Sequence, residues 1–310
     1  MRVLVTGASG YLGSRLAPRL AAAGHEVRGF ARRPVERACE LGVPVMRGDV
    51  LTGAGLDEAL RDVEVAYYLI HSMESSADGS TDGPLEVRER MAAENFARAA
   101  QQAGVRRIVY LGGPVPSDGH ASPHLASRLA VEEILLGAVS GSVAFRASIV
   151  IGARSRSFRF LVRLVERMPV LIVPAWRQNR TAPIDERDVL AYLVAAAECE
   201  AVAGSSLDLP GPDIVTYGEL IERIRDAMLV GRPLVGIPGL TLTPIASHVS
   251  SVIAGEDHAL IGPLMEGLNT DLLPRNDQAA RLIPIRRHSL DAAIERGLRE
   301  WEATEPLRAR

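Results

Sequence analysis

Short, almost uninterrupted apolar runs alternate with longer amphipathic stretches through the first half of this chain. The runs at 2–6, 26–31, 43–47, 64–70, 106–112 and 142–147 read as strands. The stretches 11–23, 55–61, 85–103 and 123–138 read as helices, and Gly24, Gly104 and Gly141 follow three of them where a left-handed cap is wanted. Regular strand–helix alternation predicts right-handed βαβ units and an α/β fold with a doubly wound parallel sheet. After about residue 150 the alternation weakens. A helix at 155–168, an apolar run at 170–173, a helix at 186–199, a strand at 206–209 and helices at 216–229 and 289–303 are predicted. The stretch 230–288 is rich in Pro and Gly and receives no assignment. The expected division is a nucleotide domain over 1–150 and a smaller substrate region over 151–310 that partly returns to the sheet.

The first run ends at Thr6 and passes directly into Gly7-Ala8-Ser9-Gly10-Tyr11-Leu12-Gly13. Gly7 permits a sharp turn, Gly10 lets the main chain approach a diphosphate, and Gly13 lets the next helix pack closely on the strand. Unsatisfied N–H groups at the start of that helix then face the anion. Thr6, Gly7, Ser9, Gly10, Tyr11, Leu12 and Gly13 are therefore the candidate dinucleotide cradle. About twenty residues on, where an NAD site carries an acid for the ribose 2′-hydroxyl, the second strand ends in Arg32 and Arg33. Planar guanidinium groups suit a 2′-phosphate, so NADP(H) is favoured over NAD(H). Asp49 and Val50 close the third strand, positioned for the adenine amino group and ring face.

Composition narrows the chemistry. The chain has 310 residues, 47% of them hydrophobic, which is ample for a real core, and a net charge of −3 that argues for no nucleic-acid partner. All 35 basic residues are arginine. Without lysine, no Schiff base or titratable amine is available. Cys39 and Cys199 have neither metal-ligand nor redox spacing and read as small core residues in a reducing compartment. The strand predicted from residue 2 leaves no room for a signal peptide, and no apolar run approaches the roughly 18 residues that span a membrane. A cytoplasmic protein with a small-molecule substrate and no membrane partner is expected, with an oligomer left open.

The motifs Thr-Gly-x-x-Gly-Tyr-x-Gly at 6–13, Gly-Asp-Val at 48–50, Arg-Ile-Val-Tyr-Leu at 107–111, Arg-Ala-Ser-Ile-Val-Ile-Gly at 146–152 and Pro-Ile-Asp-Glu-Arg-Asp-Val at 183–189 resemble the short-chain dehydrogenase/reductase superfamily. The extended epimerase type and the atypical, NmrA-like branch are the nearest groups. The resemblance implies a Rossmann-type fold and a nicotinamide dinucleotide. It places Leu69, Ile70 and His71, at the end of the fourth strand, and Gly112 beside the cofactor's nicotinamide half. It also implies a Tyr-x-x-x-Lys pair at a helix start, but the matching segment reads Pro123-His124-Leu125-Ala126-Ser127-Arg128. His124 stands for the tyrosine, Arg128 for the lysine, and Gly112-Gly113 for the superfamily's serine. The four-residue spacing keeps both side chains on one helix face, so His124 is a candidate proton donor and Arg128 a candidate ribose ligand. His71 could touch a substrate carbonyl.

Other features have plainer readings. Asn95 suits packing within its helix. Arg156, Arg159, Arg163 and Arg167 form a stripe expected to be a solvated face. Asp185 and Asp188 suit charge placement at a helix start, His120 reads as solvated, and 71–83 is either a lid or a connector. The leading functional expectation is an NADP(H)-dependent reductase of a small carbonyl or activated alkene. A non-catalytic NADP(H) sensor and a non-redox isomerase, dehydratase or cyclase are the alternatives.

Overall fold

The computed structural model describes residues 1–32, 42–70, 84–116, 122–173, 175–236 and 268–307. Seven parallel strands form one sheet: β1 (Arg2–Thr6), β2 (Glu26–Ala31), β3 (Val45–Arg47), β4 (Val65–Tyr68), β5 (Arg107–Gly112), β6 (Val143–Ala147) and β11 (Ser205–Leu209), in the spatial order β11-β6-β5-β4-β1-β2-β3. The order reverses at β1, which lies between β2 and β4 with Thr6 level with both Phe30 and Tyr68. This is the doubly wound α/β arrangement that the sequence pattern predicts.

Period-two alternation assigns each strand residue to one of two cores. Val3, Val5, Val65, Tyr67, Val109, Val143 and Phe145 pack against α1 (Gly13–Ala22) and α6 (Glu186–Ala196). Leu4, Phe30, Ala66, Tyr68, Ile108, Tyr110 and Ala144 face α2 (Leu56–Leu60), α3 (Leu85–Gln102) and α4 (Pro123–Ala138). Burial on both faces is why these strands read as continuous apolar runs.

A third core belongs to the second half of the chain, where α5 (Arg156–Arg167), α7 (Tyr217–Ala227) and α9 (Leu290–Glu302) meet around Phe158, Leu161, Val165, Leu220, Ile224, Leu298 and Trp301. Its strands are short pairs: β7 (Val150–Ile151) with β10 (Ile184–Asp185), β8 (Leu171–Val173) with β13 (Leu234–Gly236), and β9 (Arg180–Thr181) with β12 (Val215–Thr216). Within the unassigned 230–288 stretch the structure adds β13 and α8 (Gln278–Leu282), while 237–267 lies outside the described residues. Cys199 is half-buried and its thiol approaches the Leu282 carbonyl, whereas Cys39 lies outside the described residues. Among the described residues no helix is long and apolar enough to cross a membrane, and no cluster of His, Cys, Asp and Glu could hold a metal.

Two local readings are corrected and a third is extended. Gly24 and Gly104 do adopt positive φ after α1 and α3, but Gly141 does not: an added Cβ there would strike the Arg106 carbonyl, so close approach explains that glycine. The arginine stripe on α5 is a solvated face only in part: Arg167 is exposed, whereas the middle of the stripe is covered. Arg163 is 7% exposed, and Arg159 and Arg163 lie over the Trp301 ring with guanidinium carbons 4.2 and 4.8 Å from its centroid. Glu166 and Glu305 neutralise Arg163 there. Asp185 caps α6, accepting from the Arg187 amide at 2.7 Å, and Asp188 lies in its first turn as expected, while also holding the chain before α9 through the His288 amide at 2.8 Å and ring Nδ1 at 2.6 Å.

Trp301 is wholly buried and carries two cation–π contacts. Replacing it with Ala is expected to cost about 3–5 kcal/mol in chemical denaturation, and Trp301→Phe clearly less.

Candidate dinucleotide and catalytic site

The glycine turn is clamped between strand ends. Gly7 has φ +68°, its amide donates to the Phe30 carbonyl at 3.1 Å, and an added Cβ would lie 2.9 Å from the Leu69 carbonyl oxygen. Thr6 donates its hydroxyl to the Tyr67 carbonyl at 2.8 Å and accepts from the Leu69 amide at 3.4 Å, tying β1 to β4. Gly10 closes the turn by donating to the Gly7 carbonyl at 2.8 Å. Any side chain on Gly13 would overlap that same carbonyl. Helix α1 therefore starts directly against the strand ends. It begins at Leu12 with no side-chain cap and no acid in its first turn, while Ser9 and Gly10 are exposed. The Ser14 and Arg15 amides bond back to the Gly10 and Leu12 carbonyls, and the uncapped start ahead of them, with glycine at 7, 10 and 13, suits a diphosphate.

Tyr11 contributes differently from the rest of the cradle. Its hydroxyl donates to Glu186 Oε2 at 2.5 Å, and Arg15 Nη1 lies 2.7 Å from Oε1 of the same fully buried carboxylate. Gly152 makes room, since a Cβ there would overlap both the Tyr11 hydroxyl and Glu186. Burial first, and then the neighbouring Glu186 charge, push the Tyr11 phenol well above its usual range, so it stays protonated. Glu186 was missed in the sequence. It follows a capping aspartate, and nothing in its spacing indicates that it reaches back to the first helix.

On the β2–β3 side, Arg32 is exposed at the end of β2, and Arg33 lies outside the described residues. Asp49 is half-buried and shapes its own turn by accepting from the Leu51 amide at 2.9 Å; Val50 is buried. Asn95 does more than pack: its side-chain amide donates to the Val50 and Leu51 carbonyls at 3.2 and 2.8 Å, fixing this loop from α3.

The β4–β5 side holds the departures from the family pattern. Leu69 and Ile70 are half-buried; His71, the 71–83 loop and His120 lie outside the described residues. Ser122 caps α4 by accepting from the Leu125 amide, and half-buried His124 occupies the first turn. A Cβ on Gly113 would lie 3.0 Å from Leu125 Cδ2, so this turn stands at the carboxyl end of β5. Gly112 is equally tight, because a Cβ would lie 2.8 Å from the Tyr110 ring; a serine at either position would force a shift.

Arg128 is 8% exposed and its guanidinium is turned onto the protein. Nη2 donates to the Leu111 carbonyl at 2.6 Å, Nη1 donates to the Ile70 carbonyl at 3.4 Å, and the group lies over the Tyr110 ring. Glu89 Oε1 is 3.8 Å from Nη1. The residue expected as a ribose ligand thus joins the carboxyl ends of β4 and β5. A second buried pair was also missed. Glu132 accepts from Arg146 Nε at 2.9 Å and from the Ser206 hydroxyl at 2.6 Å, joining α4 to β6 and β11.

Residues 3–168 match the model of the NAD dependent epimerase/dehydratase family. A (4-alkanoyl-5-oxo-2,5-dihydrofuran-3-yl)methyl phosphate reductase of Streptomyces griseus is 31% identical over 75% of this chain and 75% of its own length. A ceramide reductase of Caulobacter vibrioides is 29% identical over 91% and 89%. The solved structure of UDP-glucuronic acid 4-epimerase from Bacillus cereus, in complex with NAD, shares the fold with a TM-score of 0.71 at 17% identity, over 98% of this chain and 97% of that one. This chain belongs to the NAD dependent epimerase/dehydratase family. It is an NAD(P)-dependent enzyme of the oxidoreductase type with an extended short-chain dehydrogenase fold.

Gly13→Ala is expected to remove the thermal stabilisation conferred by millimolar dinucleotide, because the added methyl pushes α1 off the Gly7 carbonyl. Retained stabilisation with a native melting temperature would contradict this account of the cradle.

Proposed function

We propose that the protein is an NADP(H)-dependent reductase of a small organic carbonyl or activated alkene. The observation that carries this reading is the uncapped start of α1, held by Gly7 and Gly13 against strand ends, together with a histidine in the first turn of α4. When bound, the nicotinamide supplies hydride. The chain binds and orients. Main-chain amides at the start of α1 hold the diphosphate, Arg32 meets the 2′-phosphate, and Asp49 and Val50 border the adenine. His124, or a water ordered by it, delivers a proton from the imidazole to the product; a group that titrates near neutrality suits this role. Arg128 holds β4 and β5 together so that His124 meets the reacting atoms in a constant place.

The two reductases named above support reduction over epimerisation. The first acts, by its name, on an acyl-substituted oxo-dihydrofuran, an alkene conjugated to carbonyl groups; the second, by its name, reduces ceramide. For the choice of dinucleotide, the support for NADP(H) is the exposed Arg32 with Arg33 next to it in the sequence; the epimerase structure is a complex with NAD. A second reading, a dinucleotide sensor without turnover, is favoured by the missing Ser/Tyr/Lys set and by the commitment of Arg128 to two carbonyls.

NADPH consumption against a panel of ketones, aldehydes, enones and butenolides separates the two. At least one substrate should be reduced, and His124→Ala should lower kcat by about a hundred-fold with dinucleotide affinity unchanged. No turnover across the panel, together with tight and redox-selective dinucleotide binding, would establish the sensor instead. Arg32→Ala should weaken NADPH about ten-fold and leave NADH unaffected. Equal weakening of both overturns the NADP(H) assignment.

A further inference from the structure

We infer that Glu89 sets the protein's relative affinity for reduced and oxidised dinucleotide, by cancelling the charge of Arg128 at the nicotinamide end of the site. The inference rests on the dinucleotide reading above and deepens it. The sheet order reverses at β1, and a dinucleotide lies across such a reversal. With the adenosine half on the β2–β3 side, the nicotinamide half falls at the carboxyl ends of β4 and β5. Those ends are the Ile70 and Leu111 carbonyls, to which Arg128 donates.

A guanidinium so placed is a permanent, buried positive charge. The two redox states of the ring differ by one positive charge, so an isolated cation there would penalise the oxidised state alone. Glu89 is 3% exposed, 3.8 Å from Arg128 Nη1 through Oε1, and it accepts a hydrogen bond from the Ser127 hydroxyl at Oε2. Tyr68 and Tyr110 add no charge, because burial holds both phenols protonated well above neutrality. The Arg128–Glu89 pair thus sums to zero, and the site accepts both redox states on comparable terms. Glu89 acts through Arg128 as a positioning and tuning residue and is not proposed to touch the dinucleotide.

The test is the ratio of dissociation constants, oxidised over reduced, measured by calorimetry on the full chain for NADP⁺ and NADPH. Glu89→Gln keeps the shape and an acceptor for Ser127 while leaving Arg128 uncompensated. The ratio should rise about five- to ten-fold. The double variant Glu89→Gln/Arg128→Gln is neutral again and should return the ratio to the wild-type value. Glu89→Asp withdraws the carboxylate by one methylene, should shift the ratio the same way by a smaller factor, and serves if the Gln variant does not fold. Equal weakening of both redox states, or an unchanged ratio in a folded variant, would reduce Glu89 to a structural role and overturn the inference alone. Wild-type protein that binds neither redox state would overturn the dinucleotide reading and this inference with it.

Discussion

The contact on which the architecture turns is the meeting of Gly13 with the Gly7 carbonyl. It admits no side chain, and it brings the first helix onto the carboxyl ends of the central strands with no side-chain cap. Everything proposed for the site follows from that placement. The orphan donors of the helix would be a liability if they were buried. Here they open at the edge of the sheet where the strand order reverses, beside the exposed Ser9 and Gly10. Thr6 supports the turn from below by tying β1 to β4 with a hydroxyl that both donates and accepts.

Much of this was legible in the chain itself. The strands of the first half stand out because both faces are covered, which leaves mostly apolar runs such as Val3-Leu4-Val5 and Val65-Ala66-Tyr67-Tyr68. The helices between them end where turn residues require it. The two-residue strands at 150–151, 180–181, 184–185 and 215–216 were invisible, since a pair of residues carries no periodicity. Gly141 was misread because a glycine after a helix has two physical explanations, and only the coordinates distinguish positive φ from close approach. The burial of Arg163 was hidden for another reason. Its partners Trp301 and Glu305 lie at the far end of the chain, and a stripe of arginines in isolation looks like a wet surface.

The site shows the same division. Backbone requirements were readable, because glycine spacing states them directly. Side-chain partnerships were not. Arg128 sits where the family pattern has lysine, but only its surroundings show that its donors go to Ile70, Leu111 and Glu89. Tyr11 lies within the glycine motif, yet its hydroxyl belongs to Glu186. In both places a buried carboxylate is matched by an arginine, Glu89 by Arg128 and Glu186 by Arg15, which costs less than leaving either charge alone.

Arg15 has one further bearing. Its guanidinium touches Glu186 at the start of α6 and Glu300 near the end of α9, while Arg296 of α9 reaches Asp185. The first helix of the chain and the last are thus joined through a common set of charges. Glu186, fully buried and 2.7 Å from Arg15, is the nearer partner, and Glu300 adds a second carboxylate at 3.3 Å from α9. The charges that flank the opening turn thus draw on residues 285 positions apart, so a substitution in α9 reaches the cradle through Arg15.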